Sequence, residues 1–80
     1  MKLPRDLSGA ELSKALCRYG YTISRTTGSH IRLTTEREGQ HHVTIPAHRV
    51  LTVGTLAAVL DAVARHHGVN RSELLQELFG

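Results

Sequence analysis

The 80-residue sequence predicts an α+β fold of element order α-β-β-β-α, a three-stranded antiparallel sheet with helices on one face, plus a short C-terminal helix. Three observations predict it. Apolar residues recur at helical spacing behind a capping signal at the start. Alternating, β-branched segments separated by glycine turns fill the middle. Helical spacing then returns after Pro46 and again after Gly68.

In "LSGAEL", Ser8 can cap a helix, Glu11 completes a Ser-x-x-Glu box and Leu7 can staple onto Leu12. Leu12, Ala15, Leu16 and Tyr19 keep the helical period, and Gly20 suits a left-handed position just past the end. The first helix is expected over about 8–19. "YTISRT" and "SHIRLTT" then alternate as a hairpin around Thr27 and Gly28, "EREGQ" turns again at Gly39, and "HHVTIP" is a third strand stopped by Pro46. After the connector "AHRVLTV", a second helix runs from about Thr52 or Gly54 to His67, with Leu56, Val59, Leu60 and Val63 as its core stripe. Gly68 ends it. Asn70 and Glu73 repeat the capping box, Val69 can staple onto Leu74, and a third helix covers about 71–79.

Period two assigns faces. Ile31, Leu33, Val43 and Ile45 share the buried side, so His30, Arg32, Thr34, His42 and Thr44 share the other. Helices can cover only one side of so small a sheet, which leaves this polar, basic side open.

The bulk numbers restrict the function classes. One domain of this length buries roughly 60% of the surface that its unfolded chain exposes. Hydrophobic residues at 40% and charged residues at 21% describe a soluble globular chain rather than a disordered one. The single Cys17 has no disulfide or metal partner, and no apolar run approaches a membrane span or a secretory leader. A cytoplasmic protein without metal, small-molecule cofactor or membrane attachment is expected. Ten Lys and Arg against seven Asp and Glu give a net charge of +3, which permits nucleic-acid binding, and aromatics at 4% disfavour recognition by base stacking.

The helix-sheet order is that of double-stranded-RNA-binding domains, and the motifs narrow it further. The helix ending "RYGY", the hairpin "ISRTTGSHIRL", the strand "VTIPAH" and the helix start "GTLAAVL" stand in the order found in HicA toxins, which the chain resembles over about residues 8–64. The resemblance implies one HicA-like domain over 1–80, with a core of about 8–67 and an additional helix at about 70–79. It implies a ribonuclease that cleaves messenger RNA and is held inactive by a HicB-like antitoxin. His30, the histidine of Gly-Ser-His, takes the place of the family's catalytic group. Gly28 and Ser29 match the turn before it, His48 matches the histidine of Pro-x-His, and Arg25 stands where a basic residue is common. Two features depart from the family: Arg49 to Val53 lack its usual lysines, and Val69 to Gly80 extend past its usual end.

The chemistry suits such residues. RNA breaks when its 2′-hydroxyl attacks the adjacent phosphate, so an enzyme needs a proton acceptor, a proton donor for the leaving 5′ oxygen and a cation beside the phosphorane. Histidine fits either proton role near neutrality. His30 is therefore expected as general acid or base, with Arg25 and Arg32 binding phosphate. Arg32 lies about 7 Å from His30 along the strand. Ser29 can donate to a phosphate oxygen, and His48, Tyr21 or water would supply the second proton role. The competing readings are a non-catalytic double-stranded-RNA-binding-like module and a protein-interaction domain that has lost its chemistry. The pairs His41–His42 and His66–His67 are expected at the surface, because neighbouring side chains diverge. Arg18, Arg37 and Arg65 are expected as solvated charges.

Overall fold

The computed structural model describes residues 3–80, in the order α1 (Gly9–Arg18), β1 (Thr22–Thr26), β2 (His30–Thr35), β3 (His41–Pro46), α2 (Val53–His67) and α3 (Arg71–Phe79). The antiparallel sheet has the strand order β1-β2-β3. This is the expected α+β architecture, compatible with the double-stranded-RNA-binding-like description.

Each helix begins as its sequence dictates. Ser8 and Glu11 form a complete capping box on α1, and Asn70 and Glu73 form another on α3. Thr52 caps α2 through Thr55 N–H, and Gly68, at φ 67°, closes its C-terminus in the left-handed conformation. Gly9 is demanded by packing. A Cβ there would stand 2.1 Å from the Pro46 carbonyl oxygen, so only a glycine lets α1 start against the end of β3.

The core lies between one sheet face and the helices. Leu12 and Leu16 of α1, Leu33 and Ile45 of the sheet, Leu56 and Leu60 of α2 and Leu74 of α3 are enclosed completely. Each such side chain stabilises the fold by about 1.5–3 kcal/mol. Ile31 and Val43 join them, as the alternation predicts. Leu75 and Leu78 fold α3 back onto the same core, leaving Phe79 exposed.

β1 departs from the expected alternation. All five of its residues are exposed, and its register with β2 shifts between Ile23 and Arg25. Ser24 is the extra residue of a bulge, and a bulge on an edge strand re-aims side chains and limits further pairing. Ile23 lies opposite buried Leu33, yet stays 48% exposed on the edge strand.

Candidate functional site

The turn that carries His30 is closed from both sides by Thr27. The Thr27 N–H donates to the His30 carbonyl at 2.9 Å, and the His30 N–H donates to Thr27 Oγ1 at 3.1 Å. These bonds fix the backbone at the first residue of β2 and leave the imidazole exposed. Ser29 Oγ lies 3.0 Å from His30 Nδ1 and restrains the ring. Nothing lies within 4 Å of where a Cβ on Gly28 would be, and its φ is not positive. Glycine here leaves open room at the tip of the turn rather than meeting a backbone requirement.

The bulge settles the orientation of Arg25. It stands directly opposite Arg32, and Arg32 stands opposite Thr44. Directly paired residues share a face, with Cβ atoms about 4.5–5.5 Å apart. Two guanidinium groups therefore share the open side, one row from His30. Like charges in opposite positions destabilise a sheet unless something else neutralises them. Nothing on the sheet does so: all seven acidic residues lie outside the three strands. The salt bridge among the described residues joins Arg71 and Asp61 at 2.8 Å, between α3 and α2.

His48 is also exposed, two residues beyond Pro46, the direct partner of His30. Its segment is pinned by three backbone bonds: Ala47 N–H to the Ser29 carbonyl at 2.8 Å, Gly9 N–H to the His48 carbonyl at 2.9 Å, and Leu51 N–H to the Leu7 carbonyl at 2.7 Å. The start of α1, the hairpin turn and the connector thus meet at one end of the sheet. His30, Ser29, Gly28 and His48 belong to that end.

Tyr21 does not. It is 3% exposed on the helix side, beyond the opposite end of β1, and its hydroxyl is 2.8 Å from His41 Nδ1 and 3.2 Å from His67 Nε2. Burial, helped by neighbouring Tyr19, pushes its pKa up to about 12. It is removed from the candidates for the second proton transfer, which leaves His48 or water.

The expectation that both histidine pairs are solvated holds for His42 alone. His41, at the start of β3, and His67, in the last turn of α2, converge on Tyr21, with His66 packed against both rings, and all three are half-buried. The His41 and His66 rings stack with centroids 4.3 Å apart, and the His66 and His67 rings meet edge to face at 4.8 Å. His66 Nε2 donates to the carbonyls of Arg37 at 3.0 Å and Gly39 at 2.9 Å, clipping the β2–β3 turn to α2. Burial first, and then the other imidazoles, holds His41 below the ordinary histidine range; His67 is lowered by burial, then by His66 and Arg37.

Arg37 is likewise no free charge. Its guanidinium lies 4.7 Å from the Tyr19 ring centroid and donates to the Tyr19 carbonyl at 2.8 Å. Arg18 donates to the Leu78 carbonyl at 3.3 Å. The sequence signal for this seam is weak: a tyrosine entering a strand and two histidines closing a helix, far apart in the chain.

A family model described as HicA toxin of bacterial toxin-antitoxin matches residues 9–68, three quarters of the chain. The chain belongs to the HicA toxin family. No curated protein and no solved structure matches it in the corresponding comparisons. The matched region holds α1, the sheet and α2, and therefore His30, both arginines of the open face and His48; α3 lies beyond it. HicA proteins are ribonuclease toxins of toxin–antitoxin systems, so nuclease function in general and an RNA substrate with an antitoxin partner follow from membership. No helix among the described residues is long and apolar enough to cross a membrane.

Proposed function

We propose that this HicA protein is a metal-independent endoribonuclease that cuts messenger RNA by general acid–base catalysis at His30. The observation that carries the reading is an exposed histidine on a rigid turn, one row from a facing arginine pair that no acid compensates. Arg25 and Arg32 bind the phosphate and steady charge on the phosphorane. Ser29 orients the His30 ring and donates to a phosphate oxygen, and the open space at Gly28 lets the RNA backbone approach.

In the reaction the 2′ oxygen attacks phosphorus, the P–O5′ bond breaks, and the products are a 2′,3′-cyclic phosphate and a free 5′-hydroxyl. His30 moves one of the two protons, and His48 or a water moves the other. A HicB-like antitoxin in the cytoplasm silences the enzyme by covering this face.

The decisive experiment incubates a long single-stranded RNA with the wild type and with His30→Ala in EDTA. The expected outcome is cleavage by the wild type and a loss of about 100- to 10,000-fold in the variant, with RNA binding retained. Equal cleavage by both ends the assignment of His30. RNA binding without cleavage by either protein leaves a double-stranded-RNA-binding-like module instead.

A further inference from the structure

The open face carries a second histidine, and a chain of hydrogen bonds determines what it offers. Ser24 Oγ is 3.2 Å from the Arg32 carbonyl, which only accepts, so the single hydroxyl hydrogen of Ser24 points there. Thr34 Oγ1 is 2.9 Å from Ser24 Oγ and must donate to it, which uses the hydrogen of Thr34. His42 Nδ1 is 2.7 Å from Thr34 Oγ1, which is left with only lone pairs to offer. His42 Nδ1 therefore carries the proton and donates. In the neutral ring, Nε2 is then a bare acceptor on an exposed side chain.

Alternation from Ile23 puts Ser24 on the open side, and the bulge turns Arg25 there as well, so the face presents ordered rows: His30 with Pro46, then Arg25, Arg32 and Thr44, then Thr22, Thr34 and His42. Successive rows are about 7 Å apart, a spacing comparable with the backbone step of an extended nucleic-acid strand. His42 is about 13 Å from His30, too far to exchange a proton with the same phosphodiester. The arginines offer donors to phosphate, which only accepts. A fixed acceptor among them complements a donor on the backbone, and the backbone donor that RNA has and DNA lacks is the ribose 2′-hydroxyl.

We propose that His42 reads the sugar: its Nε2 accepts a hydrogen bond from a 2′-hydroxyl about two nucleotides from the bond that is cut. Thr34 is a positioning residue that acts by holding the Nδ1 proton. The proposal rests on the ribonuclease reading and adds the way the open face tells RNA from DNA.

The test uses the full chain carrying His30→Ala, so that the probe stays intact, with a fluorescent 12-nucleotide RNA and the DNA of the same sequence. The expected preference for RNA contributed by one such bond is about 3- to 10-fold, and adding His42→Ala abolishes it through weaker RNA binding while DNA binding stays the same. Adding Thr34→Val instead reduces the preference in part. Ring nitrogen shifts of the wild type show the neutral His42 proton on Nδ1. Equal losses for RNA and DNA in the His42→Ala protein make His42 a phosphate contact, and no loss for either places it outside the track; both overturn the proposal, as does a neutral ring protonated on Nε2. If the wild type cuts RNA while His42→Ala leaves the preference unchanged, the inference alone falls. If the wild type neither binds nor cuts RNA, the ribonuclease reading falls and takes it along.

Discussion

His41 and His42 are consecutive in β3 and occupy opposite chemical environments. Strand alternation sends His42 to the open face, in the company of His30, Arg25 and Arg32, and His41 to the helix side, against Tyr21, His66 and His67. On the open face the imidazoles are exposed and their neighbours are hydroxyls and guanidinium groups. In the seam they are packed against one another, with one nitrogen of each ring committed to a phenol or to backbone carbonyls. The same residue type is left free to act in one region and is packed as mortar in the other. Solvent exposure makes the difference.

The largest expected effect divides the regions by what they control. His30→Ala removes about 100- to 10,000-fold of cleavage and leaves the thermal midpoint unchanged, since exposed substitutions away from structural contacts alter stability by under about 0.5 kcal/mol. A midpoint that drops together with activity would make His30 a structural residue like those of the seam.

Tyr21→Phe should do the reverse. It removes a hydroxyl shared by two imidazole nitrogens and leaves buried ring atoms without partners, which costs about 1–3 kcal/mol. For a domain of this size the melting temperature falls by about 4–8 °C for each kcal/mol, as calorimetry would read. Cleavage per folded molecule should not change. A Tyr21→Phe protein of unaltered stability but lost activity would move the phenol into the chemistry and merge the two regions.

Arg32→Ala tests the open face with a smaller change. Removing one phosphate contact should lower the slope of log affinity against log salt by about one unit, and removing Arg25 as well by about two. Arg37→Ala, at the other end of the sheet, should leave the slope unaltered, because its guanidinium is held by Tyr19. Equal slopes for Arg32→Ala and the wild type would place the RNA elsewhere.

The open face was legible in the sequence because its cause is local. Period two alone sets His30, Arg32, Thr34, His42 and Thr44 on one side, and the two capping boxes need only residues three apart. Arg25 was not legible in the same way. Its direction depends on the Ser24 bulge, which is a property of the pairing between β1 and β2 and not of the β1 sequence. The relay through Ser24, Thr34 and His42 was not legible either, since it rests on pairings across all three strands. The seam was the least legible part, because His41 meets His66 only where α2 packs on β3. Reasoning that adjacent side chains diverge was sound for His41 and His42 but not for His66 and His67, whose rings pack edge to face, and it missed that His41 could stack on His66 and share the Tyr21 hydroxyl with His67.

The smallest effect asked of the comparison is the response to acid, because half-exposed rings are partly screened by water. His41 and His67 are both lowered from the ordinary histidine range, chiefly by burial. The groups acting on them are Tyr21 at the entry to β1, Tyr19 at the end of α1, His66 on α2, His42 beside His41 on β3, and Arg37 and Glu38 in the β2–β3 turn, with only Glu38 favouring the charged form of His67. The hydrogen-bond count runs the same way. The hydroxyl of Tyr21 has one hydrogen, so one ring must donate to it, and His67 Nδ1 is buried without a partner. A second proton on His67 would leave an N–H with no acceptor. With the native pKa values below the unfolded value of about 6.5, the unfolded chain binds more protons between the two, and stability rises with pH across that window. The contribution of these rings is therefore complete above about pH 6.5 and lost as the pH falls from there through the native values. Denaturant midpoints measured from pH 7.5 down to 5 should fall for the wild type and fall less for His67→Phe, in which the buried nitrogen is gone. A His42→Ala protein, which removes only the smallest of the influences on His41, should stay much closer to the wild type; if it flattens the acid response as strongly as His67→Phe does, the two faces of β3 are not chemically separate.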